Sequence, residues 1–254
     1  MSGKVGESDK WVRRFHPAPD AETQLVCLPH AGGSASFFFS ASRALSPDVD
    51  VLAVQYPGRL DRRTEAFVDR IDALAGHVAD ALMPFTERPL ALFGHSMGAL
   101  LGFEVVRLLE ARGVQPIALV VSGRRGPDTY RDEAHHLSSD AELIAEVASL
   151  SGTSSAVLDN AEIVRMALPA IRNDYRAVET YRFPGGPLVS APIYAHVGES
   201  DPKATLDEVR AWARHTTGTF EFHTHPGGHF YLSAPESTVV PFLARLMSSV
   251  SRSR

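Results

Sequence analysis

Six short apolar runs punctuate the chain: TQLVCL (23–28), DVLAVQ (50–55), LALF (90–93), IALVVS (117–122), PIYAHV (192–197) and TFEFHT (219–224). Most are separated by stretches with helical periodicity, among them 70–83, 98–112, 204–215 and 236–250. Strands that are apolar along their length must be covered on both faces, and strands alternating with helices join in parallel through crossovers. The pattern therefore predicts an α/β chain with a mostly parallel central sheet flanked by helices, and any site at the carboxyl ends of the strands. With 254 residues, 44% of them hydrophobic, the chain can bury one sizeable core, so a single domain spanning 1–254 is expected.

One interval breaks the rhythm. Between Ser122 and Pro192 the chain is far longer than a crossover needs, which implies an insertion over about 124–186. Within it, SDAELIAEVASL and NAEIVRMALPAIRNDYRAVETY read as helices, the first opened by Ser139 or Asp140 as a cap with Glu142 close behind. Emerging at the carboxyl end of the sheet, these helices are expected to form a lid.

The remaining global features narrow the class. A formal charge of −5 argues against nucleic-acid binding, which normally leaves a basic footprint. Cys27 is the sole cysteine; it permits no internal disulfide, its place in LVCL predicts a core residue, and a reducing compartment fits. MSGKVGESDKW lacks the apolar core of a signal peptide, and no run reaches the length of a membrane span. A cytoplasmic location without membrane association is expected. Only the tail SSVSRSR is expected to fray.

Chemistry enters at LALFGHSMGALLGFEVV (90–106). A Gly-x-Ser-x-Gly pentapeptide between a buried strand and a helix has the form of a nucleophile elbow, with Ser96 at the apex and Gly94 and Gly98 allowing a sharp turn and close packing. A serine nucleophile needs a histidine base and a carboxylate to orient it, in the chain order Ser, Asp or Glu, His. The loop GESDP follows one late strand and HPGGHFYL the next, which makes Asp201 the acid, with Glu199 as the alternative, and His229 the base. HTHPGGH also resembles a metal-ligand cluster of His223, His225 and His229, but no neighbouring cysteine or carboxylate completes a familiar zinc pattern; no metal is expected. Oxyanion donors are expected from the backbone N–H of Met97, at a helix N-terminus, and of Ala31 in the glycine-rich turn LPHAGGSASFF.

LPHAGGSASFF, VQYPGRLDRRTE, LFGHSMGALLGFE, LPAIRNDYRAVETY, GESDP and GGHFYL, in this order from about Cys27 to Leu232, resemble the type II thioesterases, discrete α/β-hydrolase enzymes that accompany polyketide and nonribosomal peptide synthases. The resemblance implies a triad of Ser96, Asp201 and His229 and an oxyanion hole at Ala31 and Met97. It also implies hydrolysis of stalled or aberrant acyl groups held as thioesters on the phosphopantetheine arm of an acyl carrier protein or peptidyl carrier domain, with no cofactor of the enzyme's own. Arg59, Arg62 and Glu65 match a family pattern and are read as a structural ion pair. Lid residues Ile144, Val147, Leu150, Ile163, Leu168 and Ile171 are expected mostly to pack on the core, a subset lining an acyl slot. Carriers are typically acidic, so Arg124, Arg125 and Arg131 are expected to face them. A monomer is expected. Rival readings are a general carboxylesterase or fatty-acid chain-terminating thioesterase with the same triad, and a binding module that keeps the fold.

Overall fold

All six apolar runs are strands in the computed structural model, which describes residues 10–151 and 161–251. In chain order they are β2 (Thr23–Leu28), β3 (Val49–Val54), β4 (Leu90–His95), β5 (Ala118–Ser122), β6 (Ile193–Gly198) and β7 (Phe220–His225). A two-residue strand β1 (Val12–Arg13) completes a sheet of order β1-β3-β2-β4-β5-β6-β7, in which β1 alone is antiparallel to its neighbour.

Every residue of β2, β3, β4 and β5 is buried, because alternate side chains enter two separate cores. On one face Val26, Leu28, Leu90 and Leu92 meet helices α2 (Ile71–Leu82) and α3 (Met97–Ala111). On the other, Leu25, Cys27, Ala91 and Phe93 meet α1 (Phe39–Leu45) and Val239, Leu243 and Met247 of α7 (Val239–Ser251). Cys27 is accordingly a core residue, its thiol pKa pushed up by burial.

The insertion carries helices α4 (Asp140–Ser151) and α5 (Ala161–Thr180). Ser139 is the cap of α4: its hydroxyl accepts from Glu142 N–H at 3.3 Å while its own N–H donates to the Glu142 carboxylate at 2.8 Å, a reciprocal box that satisfies two otherwise orphaned donors. The expected helix at 204–215 is shorter, α6 (Leu206–Arg210), and continues as a 3-10 turn through His215. Part of the tail expected to fray is ordered, since α7 extends through Ser251; residues 252–254, the N-terminal 1–9 and the side chain of Ile163 lie outside the described residues. No described helix is long and apolar enough to cross a membrane.

Candidate active site

Strand β4 ends at His95 and helix α3 begins at Met97, leaving Ser96 alone in the turn with φ 54° and ψ −114°. This is left-handed backbone on a residue with a side chain, a conformation that costs about 1–3 kcal/mol and persists only where the surroundings enforce it. Ser96 N–H donates to Ser122 O at 2.8 Å and Ala99 N–H donates to Ser96 O at 3.1 Å, fixing the apex from both sides. The flanking glycines serve close approach: a Cβ on Gly94 would stand 2.0 Å from Gly98 O, and one on Gly98 would stand 2.0 Å from Leu28 O. Because backbone cannot swing aside as a side chain can, Gly98→Ala is expected to cost about 3 kcal/mol or more of stability, measured as a lowered denaturant midpoint; an unchanged midpoint would contradict this packing.

Asp201 and His229, the expected acid and base, lie in the loops after β6 and β7. His229 Nδ1 lies 2.9 Å from both Asp201 carboxylate oxygens, and the two side chains are 2% and 0% exposed. Lys203 N–H donates to Asp201 Oδ1 at 2.8 Å, which holds the carboxylate in place. The loops press together at Gly198, whose added Cβ would stand 2.2 Å from Gly228 O. Glu199, the alternative acid, is exposed. Nor do the histidines of HTHPGGH converge. His225 Nε2 lies 2.9 Å from His196 Nδ1, and His223 stacks on the His196 ring at 4.6 Å. Burial, followed by His223 and His225, pushes His196 down to about 2, so its ring is neutral. Among the described residues no group of three or more His, Cys, Asp or Glu is placed to hold a metal.

Ser96, His229 and Ala31 line one cavity of about 480 Å³. Its roof is the insertion: Ile144, Val147, Leu150, Leu168 and Ile171 all border it. Core packing was the expectation for most of these residues; instead Ile144, Val147 and Ile171 join a small separate core around Leu143, Leu168 and Tyr175, whose underside faces the cavity. Among the described residues no protein acceptor takes the N–H of Ala31 or of Met97. His30, unremarked in the sequence, packs edge-on between Phe37 and Phe230 at 4.7 and 4.8 Å. Burial first, then His229 and Arg59, push it down to about 3, so it is a neutral wall beside His229.

Residues 23–247 match the thioesterase domain family. The chain is 49% identical to thioesterase PikA5 of Streptomyces venezuelae over 89% of its length and 82% of that protein's. It is 46% identical to a probable cadicidin biosynthesis thioesterase of Streptomyces griseus, covering 88% of this chain and 62% of that one. The solved type II thioesterase BorB, from the borrelidin biosynthetic cluster, superposes with a TM-score of 0.90 at 49% identity, over 94% of this chain and 98% of BorB. The chain belongs to the type II thioesterases.

In both sets of arginines singled out in this thioesterase, some members have partners that the sequence did not disclose. Arg62 pairs with Glu65 at 2.6 Å, as expected, and its guanidinium covers the Trp11 ring at 4.2 Å. Arg59 pairs elsewhere, with Asp174 of α5, bidentately at 2.6 and 2.9 Å. The Arg124, Arg125 and Arg131 group is not an open cationic face. Arg125, 3% exposed, is bound to Glu133, and Arg131 is bidentate on Glu208 at 2.8 and 2.5 Å. Burial alone would raise Glu133, yet Arg125 and Lys203 outweigh it and hold the carboxyl down at about 2. Arg124 stands half-buried in the cavity wall, where burial and Arg125 push its guanidinium down to about 9, still cationic at neutral pH. Arg125 and Arg131 also donate to Lys203 O and Pro202 O at 3.0 and 2.8 Å, knitting the start of the insertion to the loop that carries Asp201.

Proposed function

We propose that this type II thioesterase hydrolyses stalled or aberrant acyl groups from the phosphopantetheine arm of acyl carrier proteins or peptidyl carrier domains in polyketide or nonribosomal peptide biosynthesis. Ser96 attacks the thioester carbonyl as His229 accepts its proton, and Asp201 stabilises the imidazolium that forms. The tetrahedral oxyanion is met by the N–H groups of Ala31 and Met97. Collapse expels the pantetheine thiolate, which takes the proton from His229; water, deprotonated by His229, then attacks the acyl-serine, and collapse of that adduct releases the free acid as Ser96 Oγ takes the proton back from His229. The observation that carries this reading is the buried Asp201–His229 pair, bound through both carboxylate oxygens at 2.9 Å beside a strained serine on the wall of an apolar cavity. The chemistry requires no cofactor resident in the enzyme, and the reading is of a single-domain monomer working in the cytoplasm beneath a helical lid.

The test presents one short acyl group in three forms: on a carrier protein, on a small pantetheine-like thiol and as an oxygen ester. A carrier-bound thioester turned over at least about tenfold better in kcat/KM, equivalent to about 1.4 kcal/mol in the transition state, supports the editing role. Equal rates on all three, or preference for the ester, would assign a general esterase with the same triad.

A further inference from the structure

The turn that carries Ala31 is clamped by residues remote from it in sequence. His30 O accepts from Gly33 N–H at 2.9 Å, and since His30 C=O and Ala31 N–H belong to one planar peptide, this bond orients the Ala31 amide. The next peptide is held by Gly32 N–H, which donates to Asp174 Oδ2 at 2.8 Å. Gly33 O in turn accepts from Arg59 Nη1 at 3.1 Å. Arg59 and Asp174 are 8% and 2% exposed, and their bidentate pair at 2.6 and 2.9 Å closes the clamp. Asp174 lies one helical turn beyond Ile171 on the same face of α5, and Ile171 presses on the turn so closely that a Cβ on Gly32 would stand 2.5 Å from its Cγ1. Successive peptides of the turn are thus pinned, two of them by this ion pair, and the carboxylate comes from the insertion rather than from the sheet.

We propose that Asp174 and Arg59 are positioning residues for the oxyanion hole, which is complete only when α5 is seated on the 30–33 turn and its Asp174 carboxylate, held by Arg59, accepts Gly32 N–H. The proposal rests on the reading of Ala31 as an oxyanion donor. Its physical content is that a buried charge pair, of little net value to stability in itself, is used here to hold a backbone donor in the geometry the transition state requires. The helix that roofs the acyl cavity thereby sets the electrostatics at the carbonyl.

The experiment uses the full chain and a short acyl thioester of a small thiol, with Ser96→Ala run in parallel. Asp174→Leu, which leaves no side-chain oxygen to accept Gly32 N–H, is expected to lower kcat by about 10- to 100-fold, a fraction of the effect of deleting a donor outright, with KM changed less than about threefold. Affinity for an alkyl boronic acid, which forms a tetrahedral adduct on the nucleophile, should weaken in step with kcat/KM. Because a single substitution leaves a buried charge unpaired and can unfold the chain, the double variant Arg59→Met with Asp174→Leu is measured as well. It restores an apolar, uncharged contact but gives Gly32 N–H no acceptor, so its kcat is expected to stay low even when its thermal midpoint returns to that of wild type. Recovery of kcat along with stability would overturn the proposal and leave the pair a purely structural one. Wild-type rates in Ser96→Ala would overturn the site reading and this inference together. Activity that depends on Ser96 but not on a carrier would remove only the carrier reading.

Discussion

Ser96→Ala is expected to lower kcat on an acyl thioester by about 10⁵- to 10⁶-fold, the scale on which removing the nucleophile of a triad acts. The residual rate, above that of water, would come from the oxyanion donors and the bound geometry, which the substitution leaves in place. Folding should be unaffected, because the apex is held by backbone bonds to Ser122 O and from Ala99 N–H, neither of which uses the hydroxyl. Intact-protein mass spectrometry during turnover checks the mechanism directly: wild type should show an adduct of one acyl mass and the variant none. A variant within tenfold of wild type would exclude Ser96 as the nucleophile.

Asp201→Asn carries the second-largest expected effect, a fall of about 10⁴-fold in kcat at neutral pH. Both carboxylate oxygens sit 2.9 Å from His229 Nδ1 in a site with almost no solvent. A carboxylate there can only accept, so Nδ1 must carry the proton and the opposite nitrogen is free to act as base. Asparagine can turn its N–H₂ toward the ring, which favours the wrong tautomer, and it supplies no charge for the imidazolium in the transition state. Its oxygen can still accept from Lys203 N–H, so the loop should survive and the loss should appear as rate rather than as unfolding. Glu199→Gln is the control: that side chain is exposed, and its rate should match wild type. A reversal of the two results would transfer the acid role to Glu199.

The placement of Ser96, Asp201 and His229 was readable in the sequence because each position depends on local signals. A buried strand, a small-residue turn and a helix lie within LALFGHSMGALLGFE, and the loops bearing Asp201 and His229 directly follow apolar runs. The Ser139 cap was equally visible, since its partner Glu142 is one helical turn away. By contrast, β1 has two residues and no periodicity to detect; its pairing with β3 exists because the edge of the sheet passes that segment. Helix α1 was missed for a related reason, since it follows a 3-10 turn and has no side-chain cap to announce it.

Charge partners show the same division. Arg62 and Glu65, three residues apart, form the pair that their spacing allows. Arg59 looked equivalent in sequence, yet its partner lies 115 residues away on a helix of the insertion. Arg125 and Arg131 read as a basic patch until folding brought Glu133 and Glu208 against them. The succession of strands along the chain, the strand–turn–helix around Ser96 and the loop positions of Asp201 and His229 were determined by periodicity and turn chemistry, which act over one or two turns of chain. Which arginine is buried, which carboxylate meets it and how the insertion is joined to the 30–33 turn were decided only by tertiary packing, because a buried charge takes the partner that space provides and sequence distance places no limit on that choice.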